Sequence, residues 1–228
     1  MEMKVTTLVN DLIDLVFPDL CPGCDQPLAK GEEILCSSCE YDLPLFVVDK
    51  SIRQRFIGRI SVVDARALLK FYTGGISQKL LHAIKYKGDK DLGKYLGKLF
   101  MARLMNNAVF NEIDIIVPVP LHHAKLRTRG YNQSLILAQG MALEWNIEVD
   151  EQSVVRMKKS ETQTRKTRAE RWHNVSGIFK VEGERLKNKN VLLVDDVITT
   201  GATLEACGEV ILNAGVKSLS LAAMAAAM

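Results

Sequence analysis

The stretch that decides the fold is Val191-Leu-Leu-Val-Asp-Asp-Val-Ile-Thr-Thr-Gly-Ala-Thr203. Its first four residues are apolar, which is typical of a short buried strand, and two acids follow them directly. A Thr/Gly loop then leads into residues 204–213, where apolar residues repeat at helical spacing. Because α/β folds bind ligands at the carboxyl ends of their strands, this order of elements predicts a ligand site.

The chemistry of the stretch favours a ribose phosphate. A loop that opens a helix presents backbone N–H groups, hydroxyls and the helix dipole to a phosphate. The carboxylates of Asp195 and Asp196 can accept hydrogen bonds from the two neighbouring hydroxyls of a ribose. Solvated acids at a strand end, followed by a capped helix, would explain either half alone. The acids and the loop together favour a ribose-phosphate site.

The rest of the chain alternates strands with helices. Ile113–Val119 is apolar apart from one Asp, which is typical of a strand buried on both faces of a sheet. Further strands are predicted at 64–72 and 216–223, and helices at 5–17, 76–86, 92–105, 132–144 and 204–213. This alternation predicts an α/β domain with a mostly parallel sheet and flanking helices.

Four cysteines lie in two pairs, Cys21-Pro-Gly-Cys24 and Cys36-Ser-Ser-Cys39. Each pair can place two thiolates on one tetrahedral ion, so the four predict a closed structural zinc site in a small module. Two disulfides are the alternative. The chain shows no export signal, so we expect it to stay in a reducing compartment, where disulfides are rare. A closed four-thiolate site is not catalytic; we expect it to organise a module with little core of its own.

The length and charge of the chain limit the class of protein that it can be. The chain has 228 residues, 47% of them apolar, and a net charge of +3, which is ordinary for a globular protein. We predict the helix and zinc module at 1–46, a linker at 47–63 and the α/β domain at 64–228. The N-terminus lacks the pattern of a signal peptide, and we find no membrane span, so the expected location is cytoplasmic.

Two basic stretches are candidates for binding phosphates. The first follows the strand ending in Val117-Pro-Val-Pro120 and carries Lys125, Arg127 and Arg129, which could meet a pyrophosphate or DNA. A solvated basic loop is the alternative. The second, residues 162–175, contains Arg171 and is either a mobile loop that closes over a phosphorylated substrate or a polar linker.

The segment 191–203 resembles the thirteen-residue 5-phosphoribosyl-1-pyrophosphate (PRPP) signature of type I phosphoribosyltransferases. The resemblance implies a type I phosphoribosyltransferase fold. It also implies that Asp195 and Asp196 hold the ribose hydroxyls as the catalytic acid pair. By the same resemblance the 5-phosphate is bound by the loop, and Mg²⁺ arrives with PRPP. The loop residues are Thr199, Thr200, Gly201, Ala202 and Thr203.

Nearly the whole chain resembles the ComF (ComFC) competence proteins. The shared layout is the double CxxC, the PVP…RGYNQ element at 117–133, the TQ…R..NV…F stretch from 162, and the PRPP motif. The PVP element is also similar to glutamine PRPP amidotransferases, but none of the cysteines is placed as a glutaminase nucleophile. The ComF resemblance implies DNA uptake in natural transformation, with single-stranded DNA and an uptake helicase or other competence machinery as partners.

Three functions remain open at this stage. The first is a PRPP-binding protein that handles single-stranded DNA during uptake. The second is an active phosphoribosyltransferase that acts on an unidentified base or amine. The third is a non-catalytic domain that senses PRPP or a nucleotide. The intact acid pair favours ligand binding in all three, and basic clusters with nearby aromatic residues suit contacts to a nucleic acid.

Overall fold

A computed structural model describes residues 17–46, 51–157 and 177–228. The predicted helix at 5–17 lies, except for its last residue, outside the described residues. The polar stretch 162–175, with Arg171, also lies outside them.

A five-stranded sheet forms the centre of the fold, in the order β1-β7-β6-β2-β3. Every neighbouring pair in it runs parallel. The strands are β1 (Ala65–Phe71), β2 (Ile115–Pro118), β3 (Glu148–Val149), β6 (Asn190–Ile198) and β7 (Ser218–Ala227). A separate antiparallel pair consists of β4 (Val154–Arg156) and β5 (Phe179–Val181), which flank the undescribed residues 158–176. The predicted α/β fold with a mostly parallel sheet is confirmed.

Eight α-helices occur in the part of the chain that the structure describes. They are α1 (Ser37–Tyr41), α2 (Ser51–Gln54), α3 (Ile76–His82), α4 (Lys90–Leu104), α5 (Ala108–Asn111), α6 (His123–Arg129), α7 (Gln133–Trp145) and α8 (Ala202–Asn213). A π-helical turn, Ala83–Lys87, continues α3 directly. None of these helices is both long and apolar enough to cross a membrane.

The two faces of the sheet carry separate cores, and the helices that follow β2 and β6 lie on opposite faces. Helices α3, α4 and α7 pack on one face together with the cysteine module. Helix α8 and residues 52–56 pack on the other. Strand β2 therefore leads through α6 to a helix on one face, while its neighbour β6 leads to a helix on the opposite face. A crevice opens at the carboxyl ends of two such strands, where α/β proteins bind ligands.

Two glycines let α4 and α7 approach unusually closely. A Cβ added at Gly97 would lie 2.3 Å from the carbonyl oxygen of Leu137, and one at Gly140 would lie 2.2 Å from that of Lys94. The helices therefore touch backbone to backbone. This contact fixes the position of α7 against α4.

The structure differs from the sequence-based expectation in the lengths of two strands. Strand β6 continues through the acids to Ile198, and β7 continues to Ala227 rather than ending at 223. The extra residues pair with each other, with Asp195 opposite Ala223 and Ile198 opposite Ala226. Alanine has a low intrinsic strand preference, but the alanine run is buried between two strands, and burial outweighs that preference.

No helix was predicted in the basic stretch after β2, and the structure places helix α6 there. The His122 Nδ1 accepts a hydrogen bond from the N–H of Ala124 and so caps the helix. Gly130 ends it in a left-handed conformation with φ 79°. Capping at both ends therefore stabilises a helix in a segment whose composition did not predict one.

Residues 51–60 lie within the stretch predicted as a linker, and they pack on the domain. Ile52 and Phe56 are fully buried in the core on the α8 side of the sheet. The guanidinium of Arg55 donates to the carbonyl of Ala227 at 2.6 Å, which ties the segment to the end of β7. The boundaries 1–46, 47–63 and 64–228 stay a prediction, and these contacts place 51–60 with the third unit.

Candidate functional site

The two predicted acids lie near the end of β6, beside the end of β2. Pro118, the last residue of β2, pairs with Val194, so Asp195 and Asp196 project just beyond the shorter strand. Asp195 is buried, and its Oδ1 accepts hydrogen bonds from the Ser134 hydroxyl at 3.1 Å and from the Asp196 N–H at 2.8 Å. Asp196 is half-buried at the same end of the sheet. The Asp195 carboxylate is thus hydrogen-bonded within the protein, and the Asp196 carboxylate is the more exposed of the two.

The burial of Asp195 has an electrostatic consequence. Burial raises the pKa of its carboxyl to about 7, and the negative charge of Asp196 adds to the rise. The hydrogen bonds from the Asp196 N–H and Ser134, and the positive charge of Lys85, act in the opposite direction. Two adjacent carboxylates in a poorly hydrated position lower the stability of the ligand-free protein. Groups with pKa values shifted in this way are common at binding sites.

A lysine that the sequence reasoning did not assign to the acids lies directly against them. The Lys85 ammonium, on the π-helical turn, is 2.7 Å from the Asp196 Oδ2. Both side chains are about one-fifth exposed, at 20% and 21%. The turn that carries Lys85 therefore lies along one side of the acid pair.

The predicted phosphate loop follows β6 and opens helix α8. Its Thr and Ala side chains are exposed, whereas Gly201 is buried and adopts φ 81°. The Thr200 Oγ1 accepts a weak hydrogen bond from the N–H of Ala202 at 3.4 Å. The first N–H groups of a helix have no acceptor within the helix, so they suit a phosphate. The left-handed conformation explains why this turn contains glycine.

The segment 51–60 supports the phosphate loop from beneath. A Cβ at Gly201 would lie 2.9 Å from the ring of Phe56, so a side chain there would collide with protein rather than with a bound phosphate. The Arg59 guanidinium donates to the Thr200 carbonyl at 2.9 Å and forms an ion pair with Glu205 in the first turn of α8. Arg59 thus joins the loop to the helix that follows it.

The element Arg129-Gly-Tyr-Asn-Gln133 positions the neighbouring wall of the crevice. Asn132 caps α7 by accepting from the N–H of Ser134, and its amide donates to the Val119 carbonyl at 3.0 Å. The Tyr131 hydroxyl donates to the carbonyl of Ile84 in the π-helical turn. This short element therefore places Ser134 against Asp195 and anchors the turn that carries Lys85.

Basic and aromatic side chains from separate parts of the sequence meet at the π-helical turn that also carries Lys85. The Arg129 guanidinium lies over the Tyr86 ring at 5.4 Å, and the His82 ring contacts the same ring at 4.8 Å between centroids. Tyr86 is 66% exposed. We call His82, Tyr86 and Arg129 the basic–aromatic surface. Of the other predicted cations, Lys125 and Arg127 are exposed on α6, and Arg171 lies outside the described residues.

The four cysteines converge as the spacing predicted. Their sulfurs all lie within 4.8 Å of one another, and Cys24 Sγ and Cys36 Sγ are 3.7 Å apart. A tetrahedral ion with bonds of 2.3 Å places its sulfur ligands about 3.8 Å apart. All four cysteines are free, so the disulfide alternative does not hold in this structure. The cluster has the geometry of a four-thiolate metal site.

The electrostatics of the cluster also fit a divalent cation. Burial raises the pKa of Cys21, but hydrogen bonds from the backbone N–H groups of Cys36, Gly23 and Cys24 outweigh it and leave the thiol at about 7. Burial and the neighbouring sulfurs raise the pKa of Cys39 well above its ordinary value. The Cys21 thiolate thus forms readily while the Cys39 thiol resists ionisation, and a bound cation would favour the charged form of both.

Several residues of the site were not found by sequence reasoning, and each had only a weak signal. Ser134 follows the RGYNQ element, but one serine after a helix cap has no distinctive pattern. Lys85 lies in Lys85-Tyr86-Lys87, one of the basic clusters with a nearby aromatic residue, and that pattern gives no indication of the acids. Phe56 and Arg59 are more than 130 residues from the loop that they support, and such distant contacts leave no local trace in one sequence.

Comparison with known proteins shows how widely this layout is shared. The phosphoribosyl transferase domain family matches residues 100–228, which include β2, the acid pair and the phosphate loop. The chain is 34% identical to Competence protein F of Haemophilus influenzae over 215 residues, which covers 91% of this chain and 90% of that protein. It is 23% identical to Competence protein ComFC of Bacillus subtilis, with 94% and 80% covered. It is also 26% identical to the DNA utilization protein YhgH of Salmonella typhi, with 91% and 96% covered.

The three relatives match 91% to 94% of this chain, so the similarity is not confined to the region that the family match covers. The region that the family match covers carries the acid pair of β6 and the loop that opens α8. The chain therefore belongs to the ComF family of competence proteins, with a type I phosphoribosyltransferase domain behind a four-cysteine module.

Proposed function

We propose that the protein binds PRPP with Mg²⁺ at the crevice and handles single-stranded DNA in DNA uptake. The observation that carries the proposal is the acid pair, with Asp195 held by Ser134 and Asp196 half-buried beside it, next to a phosphate loop. The acids accept the ribose hydroxyls, and the start of α8 takes the 5-phosphate. Mg²⁺ arrives on the pyrophosphate and keeps most of its waters, so it needs few protein ligands.

Calorimetry with PRPP and Mg²⁺ tests the first half. The wild-type protein should bind, and the double change Asp195→Asn with Asp196→Asn should weaken binding at least about tenfold, because two charge-assisted hydrogen bonds are lost. Glu184→Gln is the control, since Glu184 is exposed and its carboxylate pairs with Lys187, three residues further along the chain. A wild-type protein that does not bind PRPP with Mg²⁺ would refute the proposal.

Transfer chemistry is the second candidate function, and it uses the same site. Loss of pyrophosphate builds positive charge at the ribose C1, and an acceptor must then be held in line with it. The crevice supplies groups for the ribose and phosphate. We therefore expect PRPP binding with slow or absent pyrophosphate release on free purine and pyrimidine bases. Rapid release with one base or amine would establish the enzyme, and binding without release under any condition would favour a PRPP sensor.

The basic–aromatic surface supports the DNA half of the proposal. An exposed ring with a guanidinium beside it can stack on a base while cations neutralise the backbone, and stacking tolerates any sequence. Two of the relatives carry competence in their names and one carries DNA utilization, which agrees with this use. The surface adjoins the acids through consecutive residues, Lys85 and Tyr86, so both ligands would meet at one end of the sheet.

Fluorescence anisotropy with a labelled oligothymidine tests the surface. Tyr86→Ala should weaken binding by roughly 5- to 150-fold, the range for one lost stacking contact. Tyr41→Ala is a matched control, because Tyr41 is 90% exposed but lies on α1 in the cysteine module. Binding should also weaken as salt rises, and changing Arg127 and Arg129 together should flatten that dependence. Equal effects of the two tyrosine changes, or binding that ignores salt, would contradict the assignment.

Zinc and cellular location complete the proposal. We propose that the four-thiolate site holds structural Zn²⁺, which suits sulfur ligands and tetrahedral geometry. Free thiols at such a site agree with a reducing compartment, and we place the protein in the cytoplasm. There its partners would be the incoming single strand and the uptake helicase or other competence machinery. Co-purification of tagged protein with and without single-stranded DNA tests those partners.

A further inference from the structure

Lys85 has a position that the proposed acid and phosphate roles do not use. Its ammonium is 2.7 Å from the Asp196 Oδ2, and the pair is about four-fifths buried. It therefore neutralises the more exposed acid, next to a second carboxyl on Asp195. Both carboxylates are assigned to the ribose hydroxyls in the proposed function, and the one on Asp196 is thus already paired with a cation.

The main chain that carries Lys85 is held firmly. Ala83 and Ile84 are buried in the core, and the Ile84 carbonyl accepts from the Tyr131 hydroxyl. The turn is π-helical, a geometry that occurs frequently at functional sites. The backbone is thus fixed at the crevice wall, while the lysine side chain retains rotatable bonds that can move its charge by a few ångströms.

A ribose that binds Asp196 would displace the Lys85 ammonium from its carboxylate partner. The ligand hydroxyl takes over carboxylate lone pairs that the ammonium occupied, and the ammonium needs a new anionic partner in a partly dehydrated place. In PRPP the carbon next to the C2 hydroxyl carries the pyrophosphate, so an anion lies close to the displaced ammonium. In ribose 5-phosphate the same carbon carries an uncharged hydroxyl, and the ammonium has no such partner.

We propose that Lys85 is a pyrophosphate-binding residue that makes the crevice select PRPP over ribose 5-phosphate. The inference rests on the proposed function of the site and adds the source of its selectivity. Lysine suits the role because its compact ammonium can exchange one oxyanion for another without a fixed hydrogen-bonding plane. In the ligand-free protein the same charge relieves the repulsion between the two acids.

The test compares two ligands on three variants by calorimetry at fixed Mg²⁺ and salt. Lys85→Met should weaken PRPP binding by roughly 10- to 100-fold, the loss expected for one charge-assisted contact. Its affinity for ribose 5-phosphate should stay within about twofold of wild type or increase, since that ligand no longer displaces an ion pair. Lys85→Arg keeps the charge and should retain most of the preference for PRPP. Lys87→Met is the control, because Lys87 is exposed and pairs with Asp25 at 3.8 Å.

The outcomes separate this inference from the proposed function. Wild-type protein that binds neither ligand would overturn the proposed function and the inference with it. Wild-type protein that prefers PRPP, with the same preference in Lys85→Met, would overturn the inference alone. An equal loss for both ligands in Lys85→Met would also overturn it, since it would mean that the lysine only organises the acids. Thermal unfolding of each variant confirms that the protein remains folded.

Discussion

Asparagine at position 195 should stabilise the ligand-free protein while weakening its binding of PRPP. Burial raises the pKa of Asp195 from its ordinary value of 3.8 to about 7. The folded state therefore holds a proton that the unfolded state has lost between about pH 4 and pH 7. This group contributes stability that is fully present below pH 4 and disappears as the pH rises through 7.

The size of the effect follows from the two pKa values. A separation of about three pH units corresponds to about 4 kcal/mol at most, lost by the wild type at pH 8. Asparagine can still accept from Ser134 and from the Asp196 N–H, but uncharged acceptors are weaker, which costs about 1 kcal/mol. The net gain of about 3 kcal/mol should raise the melting temperature by roughly 6–12 °C at pH 8.

Thermal unfolding at pH 5 and pH 8 measures this directly. The advantage of Asp195→Asn should be much smaller at pH 5, where the wild-type carboxyl is protonated in the folded protein. Glu184→Gln, which removes an exposed carboxylate, should show no such dependence on pH. Asp195→Asn that is less stable than wild type at pH 8, or equally more stable at both pH values, would refute the reasoning that burial and Asp196 destabilise the charged form.

Three further predictions test the scaffold. Gly140→Ala should lower the free energy of unfolding by about 3 kcal/mol or prevent folding, because its Cβ would overlap the Lys94 carbonyl. Gly177→Ala is the control, because the space around Gly177 is open and the stability of this variant should not change. Urea unfolding of the two variants measures the difference. Purified protein should carry about one zinc per chain, and Cys36→Ser should lower both zinc content and melting temperature; absence of zinc with readily reacting thiols would contradict the site. Arg59→Met should weaken PRPP and ribose 5-phosphate several-fold and alike in calorimetry, because Arg59 holds the loop that takes their shared phosphate.

Much of the fold and of the site was readable from the sequence because its signals are local. The apolar run and acid pair at 191–196, the loop at 199–203 and the double CxxC each lie within a few residues, and backbone geometry makes such neighbours act together. The prediction that both cysteine pairs bind one ion requires the four sulfurs to be close, and they do lie within 4.8 Å of one another. Helix α6 was missed because its start depends on a histidine cap, which is not a common one.

The sequence by itself determined the α/β class and the clustering of the four cysteines, and it drew attention to the acid pair and to the loop that opens α8. Only the tertiary structure decided what surrounds them. The sheet order places β2 beside β6, which brings Ser134 against Asp195, and the fold brings Lys85 against Asp196. It also places Phe56 and Arg59 under a loop more than 130 residues away. The physical reason is that these contacts join residues far apart in the chain, and their partners are set by strand order and packing rather than by any local pattern.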